Sequence, residues 1–151
     1  MNMPSAAPVL RTILYVEDDP QLRCVAKIAL EVIGRFIVRD CGVGGAAVRA
    51  AGDFSPDLIL LDVTAPRCDA MQTLALLRAL PHLAHTPAML VTEMDADEAL
   101  LYMGADAVGV LPKPLEPMRV ASQLRELWAM SRRAPVARAG ATSTHAGPGL
   151  L

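Results

Sequence analysis

PDLILLD, at residues 56–62, is the stretch of sequence that decides the fold. It is a short apolar run that ends on an aspartate, and four comparable runs occur elsewhere in the chain. Runs of this length and composition are typical of β-strands. Together they predict strands at residues 11–16, 36–40, 57–62, 87–92 and 107–111.

Segments with helical periodicity separate the predicted strands. In the first of them, apolar residues recur at steps of three and four, which predicts one apolar stripe on a first helix, formed by Leu22, Val25, Ala26, Ala29 and Ile33.

The pair Asp19-Pro20 is typical of the start of that helix, with an N-cap aspartate and proline at the first helical position. Further helices are predicted at residues 44–51, 69–80, 95–103 and 117–130. Strands that alternate with helices indicate βαβ units. The sequence therefore predicts an α/β fold with a doubly wound, five-stranded parallel sheet of order 2-1-3-4-5.

Composition excludes several classes of function. The chain has 151 residues, with 14 Lys and Arg against 16 Asp and Glu, so no basic surface for nucleic acid is expected. Charges interrupt every apolar stretch before the roughly 18 residues that a membrane span needs. Residues 1–10 do not resemble a secretion signal, and three cysteines without CxxC spacing favour neither disulfides nor zinc. We therefore expect a cytoplasmic protein that binds neither nucleic acid nor membrane.

Acidic residues follow two strands that are neighbours in the predicted order. Strand 1 leads into Glu17 and Asp18, and strand 3 ends in Asp62, so three carboxylates are expected to converge at one crevice. Such a concentration of negative charge is costly without a compensating cation. Mg²⁺, which prefers oxygen ligands, is the natural cofactor. Strand 4 ends in Thr92, and Lys113 follows strand 5 with a side chain long enough to reach Asp62.

Several short motifs resemble the ordered signature of the receiver domains of bacterial two-component response regulators. They are YVEDDP at 15–20, PDLILLD at 56–62, Pro66 with Asp69, VT at 91–92, GAD at 104–106 and LPKP at 111–114. Any one of them is weak, but all of them in order, across residues 11–130, are strong. The resemblance implies the flavodoxin-like receiver fold.

The resemblance also implies the chemistry of the site. Asp62 would be phosphorylated by a histidine kinase or a histidine phosphotransfer protein. Asp18 and Asp62 would ligate Mg²⁺ directly, Glu17 would act through water, and the backbone carbonyl of Thr64 would supply another ligand.

Two further roles follow from the same resemblance. Thr92 would hydrogen-bond the phosphoryl oxygens and Lys113 would pair with them, while the bond between Lys113 and Pro114 would be cis.

No nucleotide cofactor is expected, because the GVGGAA stretch at 42–47 follows strand 2 and lacks the acidic residue of a dinucleotide site.

Three features depart from the family pattern. Glu93 stands where a small residue is usual, and Val110 occupies the position of the usual aromatic switch residue. The segment from Thr92 to Gly104 is short, and the one from Gly104 to Lys113 is long. These features raise an alternative function, a receiver that acts as a constitutive protein-binding module.

The leading hypothesis is a stand-alone phosphoacceptor receiver that is no enzyme beyond self-phosphorylation and self-dephosphorylation. It would switch a surface for an unknown downstream protein, as a monomer or weak dimer. A phosphatase of the haloacid-dehalogenase type is less favoured, because Thr64 replaces the second acid that such enzymes need. The predicted organisation is a flexible segment at 1–9, the receiver at 10–131 and a disordered, low-complexity tail at 132–151.

Overall fold

Five parallel strands form one sheet in a computed structural model of the protein, which describes residues 8–63, 69–103 and 107–133. The order β2-β1-β3-β4-β5 confirms the predicted class and topology. The strands are β1 (Thr12–Val16), β2 (Ile37–Cys41), β3 (Leu58–Val63), β4 (Ala88–Thr92) and β5 (Gly109–Pro112).

Five α-helices connect and follow the strands: α1 (Pro20–Ile28), α2 (Gly45–Ala51), α3 (Asp69–Arg78), α4 (Ala96–Met103) and α5 (Val120–Arg133). A π-helical turn, Ala29–Ile33, extends α1, and a 3-10 turn, Pro81–Leu83, precedes β4. Asp19 caps α1 as predicted, with its Oδ1 accepting hydrogen bonds from the backbone of Gln21 and Leu22 at 2.8 and 3.3 Å.

The central strand β3 is buried along its whole length. Its continuous apolar run suits a strand that helices cover on both faces, because no residue needs to face solvent. On one face, alternate strand residues such as Tyr15 and Leu60 pack against α1 and α5. On the other face, residues such as Val16 and Leu61 pack against α2 and α3.

The predicted apolar stripe on the first helix is buried only in part. Ala26 and Ala29 lie in the core, but Leu22, Val25 and Ile33 are exposed to 52%, 63% and 41%. The two alanines are the stripe residues that pack in the core cluster under α1 and α5. The three larger residues of the predicted stripe remain partly exposed, and Leu22 and Val25 line a cavity of the protein.

The ends of the chain differ in small ways from the prediction. α5 begins at Val120 rather than 117 and continues to Arg133, so it extends into the segment predicted as a tail. The expectations for residues 1–7, for 134–151 and for Thr64 lie outside the described residues. Across the part of the chain that the structure describes, no helix combines the length and apolar character that a membrane crossing requires.

Candidate functional site

Charged residues lie in or directly after three strands at the carboxyl edge of the sheet: Glu17 after β1, Asp62 in β3 and Lys113 after β5. Tyr15 pairs with Leu60 in the β1–β3 register, so Glu17 and Asp62, each two residues further on, are level and on the same face. Asp62 pairs with Val91 of β4, and Val91 pairs with Leu111 of β5. Lys113, two residues beyond Leu111, therefore follows on the same face of the sheet, one step further along its carboxyl edge.

Asp62 and Lys113 form an ion pair at this edge. Lys113 Nζ lies 2.5 Å from Asp62 Oδ1, and the two side chains are 15% and 4% exposed. The backbone amide of Lys113 donates to the carbonyl of Thr92 at 2.9 Å, and the following bond to Pro114 is cis, as predicted. The Lys113 side chain thus extends from the loop after β5 across the end of β4 and reaches Asp62 of β3.

Glu17 is the second buried acid of the site and is 5% exposed. Its backbone amide donates to the carbonyl of Cys41 at 2.9 Å, and its Oε2 accepts a hydrogen bond from the amide of Asp19 at 3.1 Å. Glu17 Oε1 is buried and has no hydrogen-bond partner among the described residues. Asp62 Oδ1 also lacks a hydrogen bond of good geometry there, although the Lys113 ammonium remains its ionic partner.

The electrostatics of the site reflect this excess of acid. Burial and the neighbouring Glu17 raise the pKa of Asp62 from 3.8 to about 7, against the opposing effect of Lys113. One lysine therefore does not compensate two buried carboxylates. Such a pair suits a hard, oxygen-seeking cation, because a divalent charge would lower the pKa of Asp62 and offset the negative charge of the two acids.

Tyr15 is a site residue that the sequence reasoning missed. It is 2% exposed and lines the same cavity as Glu17 and Asp62. Burial and then the charges of Asp62 and Glu17 raise the pKa of Tyr15, so its hydroxyl stays protonated. The period-two alternation of β1 contains the signal, since Tyr15 and Glu17 are two residues apart on one strand.

Asp18, the third predicted carboxylate, is exposed at the rim. Its side chain lies next to Gly42, in the loop after β2, since Oδ1 would be 3.6 Å from a Cβ atom added at that glycine. Within residues 8–63, 69–103 and 107–133, no group of three or more His, Cys, Asp or Glu side chains is close enough to hold a metal ion. The structure therefore brings Glu17, Asp62 and Lys113 together, with Asp18 beside them but outside the buried cluster.

Thr92 is fully buried but lies on the opposite face of the sheet from Asp62. It pairs with Val63, the residue after Asp62, and its hydroxyl accepts a hydrogen bond from the amide of Met94 at 3.1 Å. Its neighbours Val91 and Glu93 line the cavity beside Asp62 instead. In this conformation Thr92 holds the turn into α4 and does not contact the acidic cluster.

A cavity of about 700 Å³ opens beside the charged cluster. At one end it is lined by Glu17, Asp62, Glu93 and Lys113. Besides Tyr15 and Val91 of the sheet, the remaining wall is largely apolar and comes from α1 with its π-helical extension and from the loop before α5: Leu22, Val25, Ala26, Ala29, Pro114, Leu115 and Pro117. Asp62 is therefore reachable from this side, although its side chain is almost wholly buried.

Comparisons with known proteins agree with this architecture. Residues 13–125 match the sequence model of the response regulator receiver domain. The transcriptional activator protein PfeR of Pseudomonas aeruginosa is 39% identical over 105 residues, which are 68% of this chain and 32% of PfeR. The signal transduction histidine-protein kinase BarA of Escherichia coli is 31% identical over 111 residues, 72% of this chain and 12% of BarA. The chain thus spans a minor part of the length of these relatives.

Among solved structures, the chemotaxis response regulator CheY4 of Vibrio cholerae superposes with a TM-score of 0.66 at 23% identity. The match covers 78% of this chain and 98% of that chain. At this identity the likeness supports the fold, and the assignment of individual residues depends on the geometry described above.

Proposed function

We propose that this chain, which belongs to the response regulator receiver family, accepts a phosphoryl group on Asp62 from a phosphohistidine donor. The observation that carries the proposal is the ion pair between Lys113 Nζ and Asp62 Oδ1, set beside the buried Glu17 at the carboxyl edge of the sheet. A carboxylate can serve as the nucleophile, and an ammonium and a metal-binding acid beside it can align and neutralise the transferring phosphoryl group.

In the proposed reaction, an Asp62 oxygen attacks phosphorus and the P–N bond of the donor histidine breaks. The bonding electrons leave with the imidazole nitrogen, which takes up a proton. Asp62 must be ionised to attack, and its pKa of about 7 leaves only part of the metal-free protein in that form at neutral pH. Lys113 is positioned to follow the new charge, since the phosphoryl oxygens would arrive beside the carboxylate that it already contacts.

We further propose that Glu17, Asp18, Asp62 and the carbonyl of Thr64 hold Mg²⁺, with Glu17 acting through water. The unpartnered Glu17 Oε1 and the raised pKa of Asp62 support this assignment. Bound there, the ion would neutralise charge on the transferring phosphoryl group. The exposed position of Asp18 allows its side chain to turn inward without breaking a buried contact.

Thr92 is proposed to hydrogen-bond the phosphoryl oxygens after a local rearrangement. Its hydroxyl now accepts from Met94, so the β4–α4 turn must change when Thr92 turns toward Asp62. That coupling would transmit the new charge to a surface for a downstream protein partner, which is the general logic of a phosphorylation switch.

A second function, a constitutive protein-binding module, is favoured by one observation. Glu93 lines the cavity beside Asp62, where its negative charge opposes an incoming phosphoryl group. If this repulsion dominated, the chain would contact its partner without being phosphorylated.

One assay separates the two functions. The protein is incubated with Mg²⁺ and acetyl phosphate, and its intact mass is measured before and after a brief treatment with base. A phosphoacceptor gains the mass of one phosphoryl group, which base removes, and Asp62→Asn gains none. An unmodified wild-type protein, or an equal gain in Asp62→Asn, contradicts the proposal, whereas Glu93→Ala would then reveal whether that charge was the obstacle.

A further inference from the structure

Arg23, at the end of the first turn of α1, contacts the residue that supplies the second acid of the site. Its Nη1 donates to the backbone carbonyl of Glu17 at 3.1 Å. Glu17 is therefore held at three points: at its carbonyl by Arg23, at its amide by Cys41, and at its Oε2 by the amide of Asp19. Its buried Oε1 has no hydrogen-bond partner in the part of the chain that the structure describes, and Glu17 and Asp62 line the same cavity.

Asp40 of β2 fixes the guanidinium group in turn. Arg23 Nε lies 3.1 Å from Asp40 Oδ2, and Lys27 Nζ lies 2.9 Å from Asp40 Oδ1. Burial disfavours the charge of Asp40, but Lys27 and Arg23 hold its pKa below the usual value, so it remains an anion at neutral pH. The planar guanidinium can contact Asp40 and Glu17 together, which a lysine ammonium on the same helix does not do here.

We propose that Arg23 is a positioning residue of the phosphoacceptor site, which fixes Glu17 so that its free oxygen can hold a water molecule of a bound divalent cation. The inference rests on the function proposed above. Groups that orient metal ligands from outside contribute to metal binding, and their loss typically costs about 10-fold to 100-fold in metal affinity.

The sign of the effect separates positioning from simple electrostatics. Arg23 is a positive charge near a site for a cation, so its removal would tighten cation binding if charge alone mattered. If Arg23 acts by holding Glu17, its removal weakens binding. Lys27 offers a matched control, because it carries the same charge and contacts the same Asp40 but does not contact Glu17.

The test uses Mn²⁺ as the probe, with the free ion followed by electron paramagnetic resonance in titrations of the whole chain. We expect Arg23→Met to weaken Mn²⁺ binding about 10-fold to 100-fold, and Lys27→Met to leave it unchanged or tighter. Arg39→Met is a second control, since Arg39 also bridges a carboxylate and a carbonyl, at Asp53 and Ala50. Binding by Arg23→Met that equals or exceeds wild type would overturn the inference.

A second measurement needs no metal. In hydrogen exchange of the metal-free protein, Arg23→Met should speed exchange of the Glu17 and Asp19 amides, while amides of β3 keep their wild-type rates. Unchanged exchange at both amides, or a uniform increase that includes β3, overturns the positioning role. A wild-type protein that binds no Mn²⁺ would instead contradict the proposed metal site, and the exchange data would still decide the role of Arg23.

Discussion

The two faces of the sheet end differently at its carboxyl edge. On the face covered by α2 and α3, apolar residues continue to the last position of the central strand, Val63. On the face covered by α1 and α5, Glu17 directly follows β1 and Asp62 lies next to the end of β3, and an open cavity lies beside them. Consecutive residues of β3 thus serve packing and chemistry, because alternate side chains of a strand point to opposite faces.

Substitutions on the face covered by α2 and α3 should lower the free energy of unfolding most and leave phosphorylation of Asp62 unchanged. Leu74 of α3 is fully buried there, so Leu74→Ala should lower the free energy of unfolding by about 2 to 5 kcal/mol. Urea denaturation measures this loss. Leu76→Ala, on the same helix but 47% exposed, is the matched control and should cost much less. If folded Leu74→Ala is no longer phosphorylated in the acetyl phosphate assay, the two faces of the sheet do not have separate roles.

On the face that carries Glu17 and Asp62, the largest change in the pKa of Asp62 is expected when the Lys113 ammonium is removed. Lys113→Met removes the opposing charge beside Asp62, so the pKa of Asp62 should rise further above about 7, by roughly 1 to 3 pH units. Carboxyl ¹³C chemical shifts across a pH titration of the metal-free protein report it. Lys27→Met, which removes a lysine paired with Asp40 instead, should leave the titration of Asp62 near its wild-type value. Equal curves for Lys113→Met and wild type would mean that the ion pair does not form in solution.

The raised pKa also predicts how stability depends on pH. Asp62 binds a proton in the folded protein at pH values where it is ionised when unfolded, so its contribution is fully present below about 3.8 and is lost as pH rises through about 7. Between these values it lowers the free energy of unfolding by at most about 1.4 kcal/mol per pH unit. Denaturation at several pH values, without metal, should show a smaller decline in Asp62→Asn than in wild type. Identical pH dependence in the two proteins would contradict the burial of an acidic Asp62.

The smallest effect on stability is expected at Asp19, the residue that caps α1 beside the acidic site. Asp19→Ala removes the cap of α1 and should cost about 1 kcal/mol of stability, measured by thermal or urea unfolding. The Asp19 amide still donates to Glu17 Oε2 in this variant, so Mn²⁺ binding should change little. A large loss of Mn²⁺ affinity in Asp19→Ala would show that the start of α1 and the acidic site are not separable.

The strand order, the cap at Asp19 and the meeting of Asp62 with Lys113 could be predicted because each depends on local sequence and on the topology of parallel sheets. The exposure of Leu22 and Val25 could not, since periodicity reports which residues share a helix face but not how widely that face is covered. For Thr92, position at a strand end was evident, whereas its orientation away from Asp62 depends on pairing register. Arg23 was missed because its partners are far apart in the sequence, Glu17 directly after β1 and Asp40 in β2.

The most direct test of the central role of Asp62 is to locate the phosphoryl group chemically. After incubation with acetyl phosphate and Mg²⁺, borohydride reduction converts an aspartyl phosphate to homoserine, which peptide mass spectrometry assigns to a residue. We predict conversion at Asp62 and at no other acid. Homoserine at Asp18 or at Asp95, or phosphorylated protein in which Asp62 is not converted, would contradict the role of Asp62 as the phosphoacceptor.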